Sequence, residues 1–158
     1  MKRFFKLFLP LVAVIAFVAC DDDDKDLPDV TFNIEIENAQ RVDGTLYIVQ
    51  GDTLEVKSIT VTNNESGKEA FITSASYYWD CNYVFSSVIP PYGFSFYVGK
   101  NTPVGRHNFD IECPVYAVDK EAAVAISSFK VKVVASIEEI PASGVKTFSV
   151  TPSTSAND

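Results

Sequence analysis

Apolar and polar residues alternate along most of the chain from Val30 onward, and this pattern predicts β-strands. At the start, Val30, Phe32, Ile34 and Ile36 alternate with polar residues, as in a strand that buries one face. We expect an irregularity at Lys57-Ser58 and a bulge at Pro114. Similar segments predict eight strands, at 30–36, 46–49, 54–61, 72–80, 83–89, 94–98, 106–118 and 124–135.

Turn residues separate these strands at intervals of about 8 to 12 residues. Asp43-Gly44, Asp80-Cys81-Asn82 and Asp119-Lys120-Glu121 predict tight turns, and Pro90-Pro91 ends the fifth strand. No stretch after residue 29 shows sustained helical periodicity. The pattern therefore predicts an all-β fold, an antiparallel β-sandwich of seven to eight strands.

The first 19 residues have the pattern of an export signal. Lys2, Arg3 and Lys6 precede the apolar run Leu7–Ala19, which is interrupted only by Pro10. Crossing a bilayer takes about 20 apolar residues, so this run is too short for a permanent anchor and fits a cleaved signal.

The sequence Phe17-Val18-Ala19-Cys20 resembles the lipobox of bacterial lipoproteins, although Leu is more usual where Phe17 stands. The resemblance implies cleavage before Cys20 and acylation of its sulfur and its new amino group. Several acyl chains give stable membrane anchoring, whereas one chain alone is marginal. The alternative is an ordinary secretory signal followed by a cysteine that carries no lipid.

An acidic tract, Asp21–Asp26, broken only by Lys25, follows this cysteine. It resembles the tract that directs lipoproteins of the Bacteroidota to the cell surface. The alternative is a solvated spacer, because a block of like charges stays extended. We divide the chain into a signal (1–19), a lipidated cysteine with an acidic tether (20–29), a sandwich domain (30–135) and a polar C-terminal segment (136–158), in which Lys146–Val150 predicts at most one edge strand.

Three segments in the middle of the chain, 75–80, 91–96 and 102–107, resemble bacterial Ig-like domains, including the PKD- and cadherin-like sandwiches. They read Ala-Ser-Tyr-Tyr-Trp-Asp, Pro-Tyr-Gly-Phe-Ser-Phe and Thr-Pro-Val-Gly-Arg-His. The resemblance extends over about residues 70–135, and over 30–69 by pattern only. The chain departs from it at Cys81, where Gly is typical. Such domains share a fold and little function.

The resemblance also assigns the faces of the middle strands. We expect seven side chains to point into the core: Ala75, Tyr77, Trp79, His107, Phe109, Ile111 and Cys113. Because side chains alternate along a strand, their neighbours would lie on the outer face of one sheet: Tyr78, Arg106, Asn108, Asp110, Lys130 and Lys132.

Charge argues against nucleic acid as a partner. The 158 residues carry a formal net charge of −8, and removing the three basic residues of the signal leaves −11. A chain this acidic repels phosphate backbones.

Catalytic chemistry has little support in the sequence, and we predict no enzyme, no cofactor and no metal site. His107 is the only histidine, so the one nucleophilic arrangement available is a Cys81–His107 dyad. Cys81 and Cys113 would lie roughly 23 Å apart along neighbouring strands, which favours free thiols over a disulfide.

Aromatic residues are the most suggestive feature for binding. Tyr78, Tyr83 and Tyr97 have the parity to face solvent, where a Tyr ring can stack on a sugar or anchor a protein contact. We predict a ligand contact centred on Tyr78, with Arg106 and Asn108 beside it on the neighbouring strand, and Tyr83 is a further candidate ligand-binding residue. The alternative is ordinary packing on a sheet surface.

These observations predict a non-catalytic lipoprotein of the outer membrane or cell surface that presents an Ig-like domain for binding or assembly. Its partners would be the membrane, through the N-terminal lipid, and a protein or glycan. The alternative is a glycan-binding accessory lipoprotein of a nutrient-uptake system. A glycan binder should expose a coplanar aromatic platform, whereas an assembly module should show an open edge strand or a broad apolar patch.

Overall fold

The computed structural model describes residues 26–142 and, as backbone only, residues 11–12 and 15–17. Cys20, Asp21–Lys25 and Lys146–Val150 lie outside the described residues. Within them, no helix is both long and apolar enough to cross a membrane. The elements are β1 (Leu11–Val12), β2 (Ile15–Phe17), β3 (Val30–Glu37), β4 (Gln40–Val42), β5 (Thr45–Val49), β6 (Thr53–Asn63), β7 (Ala70–Ile72), β8 (Ala75–Trp79), β9 (Asn82–Ser87), β10 (Phe94–Tyr97), β11 (Gly105–Ala117), β12 (Ala123–Val134) and a 3₁₀ turn at Ile137–Glu139.

The strands form two sheets. Sheet A has the order β1-β3-β6-β10, and sheet B has the order β4-β5-β12-β11-β8-β9, with β7 paired to β11 and β2 paired to β12. This arrangement confirms the predicted all-β, Ig-like sandwich. It departs from a purely antiparallel one because β5 and β12 run parallel. The predicted strand 72–80 is interrupted between β7 and β8, and β4 is an additional strand.

Alternation along the strands places apolar side chains between the two sheets. The predicted inward residues Ala75, Tyr77, Phe109, Ile111 and Cys113 are buried. Strands β3 and β6 of sheet A add Phe32, Ile34, Leu54 and Val56 to the core. Strands β5 and β12 of sheet B add Leu46, Ile48, Val131 and Val133. Fully burying one such side chain stabilises the fold by about 1.5 to 3 kcal/mol, so this layer holds the sheets together.

Two local predictions had different outcomes. The irregularity at Lys57 is confirmed, because Glu35 pairs with Ser58 and Ile36 pairs with Val56, which leaves Lys57 as the extra residue. The bulge at Pro114 is wrong, because the β11–β12 register continues through it. Pro114 has no N–H to donate, and on its other side it lies opposite the interruption between β7 and β8.

Left-handed residues form the predicted tight turns. Asp43 and Gly44 have φ values of 47° and 77°, and Asp80 and Cys81 have φ values of 49° and 64°. Cys81 therefore adopts the conformation for which Gly is typical, at a cost of about 1 kcal/mol.

The predicted tether is partly bound to the domain. The Glu121 N–H donates to the Asp26 carbonyl, the Asn64 N–H donates to the Asp29 carbonyl, and the Asn64 side-chain amide donates to the Asp29 carboxylate at 2.7 Å. Residues 26–29 are therefore held against the sandwich. Farther upstream, β1 pairs with β3 and β2 pairs with β12, both inside the predicted signal.

Candidate functional site

Tyr78 lies on the outer face of sheet B, as predicted, but its neighbours differ from the expected ones. Opposite it on β11 is Asp110. Asn108 instead meets the next turn, where its N–H donates to the Asp80 carboxylate at 2.9 Å. Arg106 lies opposite Lys132 of β12. The prediction that Arg106 flanks Tyr78 is therefore wrong, and Asn108 lies diagonal to Tyr78 on the same face rather than directly opposite it.

The reason is the length of β11. This strand begins at Gly105, whereas β8 ends at Trp79, which pairs with Phe109. The first residues of β11 therefore extend past the end of β8 and pair only with β12. The sequence predicted the faces of the strands, but alternation carries no information about register between strands.

The surroundings of Tyr78 are aromatic and acidic. Its ring meets that of Tyr83 edge-on, with centroids 5.8 Å apart and an angle of 74° between the planes. A hydrogen bond with Glu112, burial and the charge of Glu112 raise the Tyr78 pKa. The two rings do not form a coplanar platform, and no cation adjoins them in the strand register. The binding role of Tyr78 and Tyr83 remains a prediction.

A basic strip lies on the same outer face of sheet B, at the end opposite the β11–β12 hairpin. It consists of Tyr47, Arg106, Lys130 and Lys132 on the adjacent strands β5, β12 and β11. In the register, Tyr47 pairs with Lys132 and Lys132 pairs with Arg106. The Lys132 ammonium lies 5.6 Å from the centre of the Tyr47 ring. Among the described residues, no carboxylate lies within 4.0 Å of these three cations.

A third surface is the β9–β10 flank, formed by the edge strand of each sheet and the loop between them. It exposes four large apolar side chains: Tyr83 (62%), Phe85 (46%), Val88 (68%) and Ile89 (74%). An open cleft of about 530 Å³ lies along it, lined in part by Glu55, Lys57, Phe85 and Phe94. The Phe85 ring stacks on Phe94 at 5.4 Å, and Phe94 stacks on buried Tyr77 at 4.5 Å.

Sequence reasoning missed this flank. Phe85 lies opposite Tyr77 and points to the inner side of sheet B, yet it is exposed because β9 is the outermost strand. Edge position depends on the order of strands, which local sequence does not contain. The one available signal was the apolar pair Val88-Ile89 directly before Pro90-Pro91, since exposed loops seldom need two such residues.

His107 has two acceptors and no nucleophile. Its Nδ1 lies 2.7 Å from the Asp80 carboxylate and its Nε2 lies 2.8 Å from the Pro103 carbonyl. Trp79 stacks on the imidazole at 5.1 Å. Because both ring nitrogens already face acceptors, the imidazole has no free nitrogen to take a proton from Cys81. The structure therefore does not support the Cys81–His107 dyad.

Opposing effects set the pKa values of this pair. Burial lowers the His107 pKa, but the hydrogen bonds with Asp80 and Pro103 and the Asp80 charge outweigh it, so the pKa is raised. Burial raises the Asp80 pKa, but hydrogen bonds from His107 and the Asn108 N–H lower it further than burial raises it. The arrangement favours an imidazolium–carboxylate pair that fastens the β8–β9 turn to the loop before β11.

The two cysteines of the domain occupy different environments. Cys81 is exposed in its turn, and Cys113 is buried; both are free thiols. Burial raises the Cys113 pKa to about 12, which keeps this thiol protonated and unreactive. Within residues 26–142, no three His, Cys, Asp or Glu side chains are grouped so that they could hold a metal ion.

Comparisons with known proteins add little to this geometry. No family model matches the chain, and no curated protein matches it. Among solved structures, it is similar to the fibronectin(III)-like modules of Clostridium thermocellum CbhA, with 16% identity, a TM-score of 0.42, and coverage of 75% of this chain and 53% of that chain. The chain thus spans about half of that structure, and our fold assignment depends on the sheet order itself.

Proposed function

We propose that this chain is a non-catalytic lipoprotein, anchored through Cys20 at the outer membrane or cell surface, that binds a protein partner through its β9–β10 flank. The observation that carries the proposal is the flank itself, where exposed apolar side chains line the open edges of both sheets. This combination is what we expected of an assembly or adhesion module.

Exposure of the apolar flank to water is unfavourable unless a partner covers it. Val88 and Ile89 are both more than two-thirds exposed, and contiguous exposed apolar surface is typical of interaction sites. Edge strands add unused backbone hydrogen-bonding groups that can pair with a partner strand. Phe85 is fixed by its stacking on Phe94, so it is a preorganised anchor of the kind that dominates protein interfaces.

The position of the anchor supports presentation of the domain away from a membrane. Asp26, six residues after Cys20, is bound to the β11–β12 hairpin. The lipid would therefore attach near this hairpin. The opposite end of the sandwich would face outward, and the flank, which runs along its side, would be accessible to a partner.

The flank can be tested by photocross-linking in intact cells. A photoreactive phenylalanine analogue at position 89 should give an adduct of defined mass, whereas the analogue at exposed Val104, outside the flank, should give none. The adduct should disappear when Phe85→Ser is added. Equal adducts from both positions, or none from position 89, would refute the flank as the contact surface.

Anchoring and sorting need a separate test. Mass spectrometry of the mature N-terminus should find acylated Cys20, and an unmodified terminus at another residue would contradict lipidation. Replacing the Asp residues of 21–26 with Ala should keep the lipid and remove access to external protease. Unchanged protease access would leave the tract as a spacer only.

The second candidate function, a glycan-binding accessory lipoprotein of a nutrient-uptake system, is supported at one place only. The edge-on contact of Tyr78 and Tyr83 does not match a sugar platform. In the basic strip, by contrast, Tyr47 lies beside Lys132 on the outer face of sheet B.

A further inference from the structure

We propose that the basic strip is a binding site for an acidic polysaccharide, one whose sugar units carry carboxylate or sulfate groups. This site lies on a different surface from the β9–β10 flank, and it would function whether or not the flank binds a protein.

The cations of the basic strip lie side by side. Arg106 and Lys132 are direct cross-strand neighbours, and like charges placed opposite each other destabilise a sheet. Lys130 lies two residues along the same strand and extends the cluster. Of the carboxylates on this face, Asp110 is the nearest by register, diagonal to Lys130. After removal of the signal, the protein has a net charge of −11, so three neighbouring cations without an ion pair among the described residues call for an anionic partner.

Aromatic and amide groups lie next to the cations of the basic strip. Tyr47 supplies a ring held under the Lys132 ammonium, and Tyr rings can stack on sugars. Gln40 pairs with Tyr47 on one side, and Asn108 pairs with Lys130 on the other. Their amides donate and accept hydrogen bonds, as sugar hydroxyl groups do. The strip therefore offers contacts for charge, for a ring face and for hydroxyl groups.

The basic strip suits a polysaccharide better than an acidic protein. Tight protein interfaces need a fully desolvated apolar centre. The strip has only Tyr47 in that role, and its other members are hydrophilic. A polar surface that crosses the four adjacent strands β4, β5, β12 and β11 instead suits an extended, hydroxylated chain.

The position of the basic strip also favours an external polymer. The strip lies at the end of β12 opposite the anchored hairpin, and nine residues of strand between 123 and 132 span about 30 Å. It would therefore face away from the membrane to which the protein is attached, where an external polymer has access to it.

The test measures binding by the full-length lipoprotein, purified in nonionic detergent, using calorimetry at low salt. The probes are an oligogalacturonate, a chondroitin sulfate oligosaccharide and a neutral dextran of similar length. We expect binding to one or both anionic probes and none to dextran; which one binds identifies carboxylate or sulfate. Lys132→Gln and Arg106→Gln should each weaken binding about tenfold, and added salt should weaken it further.

Four further variants and a thermal-melting control make the test decisive. Lys100→Gln removes the same charge from an exposed loop and should leave the affinity unchanged, as should Ile89→Asp on the flank. Lys132→Arg should retain binding, and thermal melting should show that each variant is folded. Tyr47→Ala should weaken binding although no charge changes. The proposal is overturned if neither anionic probe binds, if Lys100→Gln weakens binding as much as Lys132→Gln, or if duplex DNA binds equally well and Tyr47→Ala has no effect.

Discussion

The two ends of the sandwich are each fastened by charged hydrogen bonds of similar length. At the end formed by the β11–β12 hairpin, the hairpin end, the Lys120 ammonium lies 2.7 Å from the Asp26 carboxylate and 2.6 Å from the Glu65 carboxylate. At the far end, His107 lies 2.7 Å from the Asp80 carboxylate and 2.8 Å from the Pro103 carbonyl. Each set ties a hairpin to a segment distant in sequence.

The ends differ in what surrounds the charges. The His107 side chain is only 8% exposed and stacks on Trp79, which itself stacks on Phe96 at 4.7 Å. The Lys120 side chain is nearly as buried, at 11%, but its partner Asp26 is 73% exposed, against 41% for Asp80. Water and salt therefore screen the Lys120–Asp26 pair most, whereas the stacked rings of Trp79 and Phe96, the aromatic wall, exclude part of the solvent from His107. Equal distances therefore do not imply equal contributions to stability.

The largest expected effect comes from removing the aromatic wall. Trp79→Ala should lower the free energy of unfolding by about 3 kcal/mol, because a large core-packed ring leaves a cavity. Phe71→Ala is the matched control near the other end, since Phe71 is 56% exposed and stacks only on Tyr116; it should cost less than about 1 kcal/mol. Urea unfolding measures both. Similar losses for the two variants would remove the contrast between the ends.

A smaller effect should follow from the His107 pair, and it should depend on pH. Because the folded-state pKa of His107 is raised above 6.5, its contribution is fully present below pH 6.5 and is lost as pH rises through the folded-state value. His107→Gln should cost about 1 to 2 kcal/mol at pH 5.5 and less at pH 8.5. The measurement is the difference between wild type and variant in urea unfolding at these two values.

Asp80→Asn provides the control for this pH dependence. It removes the carboxylate that His107 faces, so in the Asp80→Asn background the stability cost of His107→Gln should vary little with pH. A gap between wild type and His107→Gln that grows with rising pH would contradict the imidazolium assignment.

The Lys120–Glu65 network at the hairpin end should contribute less to stability, and its contribution should depend on pH with the opposite sign. Hydrogen bonds from Lys120 and Lys68 lower the Glu65 pKa from 4.5 to about 2. This contribution is therefore present above pH 4.5 and is lost as pH falls toward 2. Glu65→Gln should lower the melting temperature slightly at neutral pH and low salt, and added salt should abolish the difference. A salt-resistant loss would mean that this network is shielded like the far end.

The smallest structural effect, but a clear chemical one, concerns the thiols. In the native protein, a thiol reagent should modify Cys81 quickly and leave the fold intact, whereas Cys113 should react only after unfolding because it is buried. Thiol counting in denaturant without reductant should find both free. One disulfide would mean that the strand order is wrong, since the two residues lie far apart along neighbouring strands.

Alternation and turn spacing along the chain predicted the sandwich and the irregularity at Lys57-Ser58, and the resemblance to Ig-like domains supplied the inward faces of β8 and β11. Alternation depends on residues two apart, so the sequence contains it directly. The turn at Asp80-Cys81 was also predictable, because Asp tolerates the left-handed conformation. The export signal, the lipid on Cys20 and the surface location are likewise inferences from sequence, and they remain predictions.

Only the tertiary structure decided which residues meet. In the folded chain Asp110 lies opposite Tyr78, Arg106 lies opposite Lys132, and His107 bonds to Asp80 and Pro103 rather than to Cys81. The tertiary structure also made β9 and β10 the open edges, which exposes Phe85 although its parity is that of a core residue. The physical reason is that register and strand order are set by long-range packing of all strands at once, whereas the local pattern determines only which side of its own strand each residue occupies.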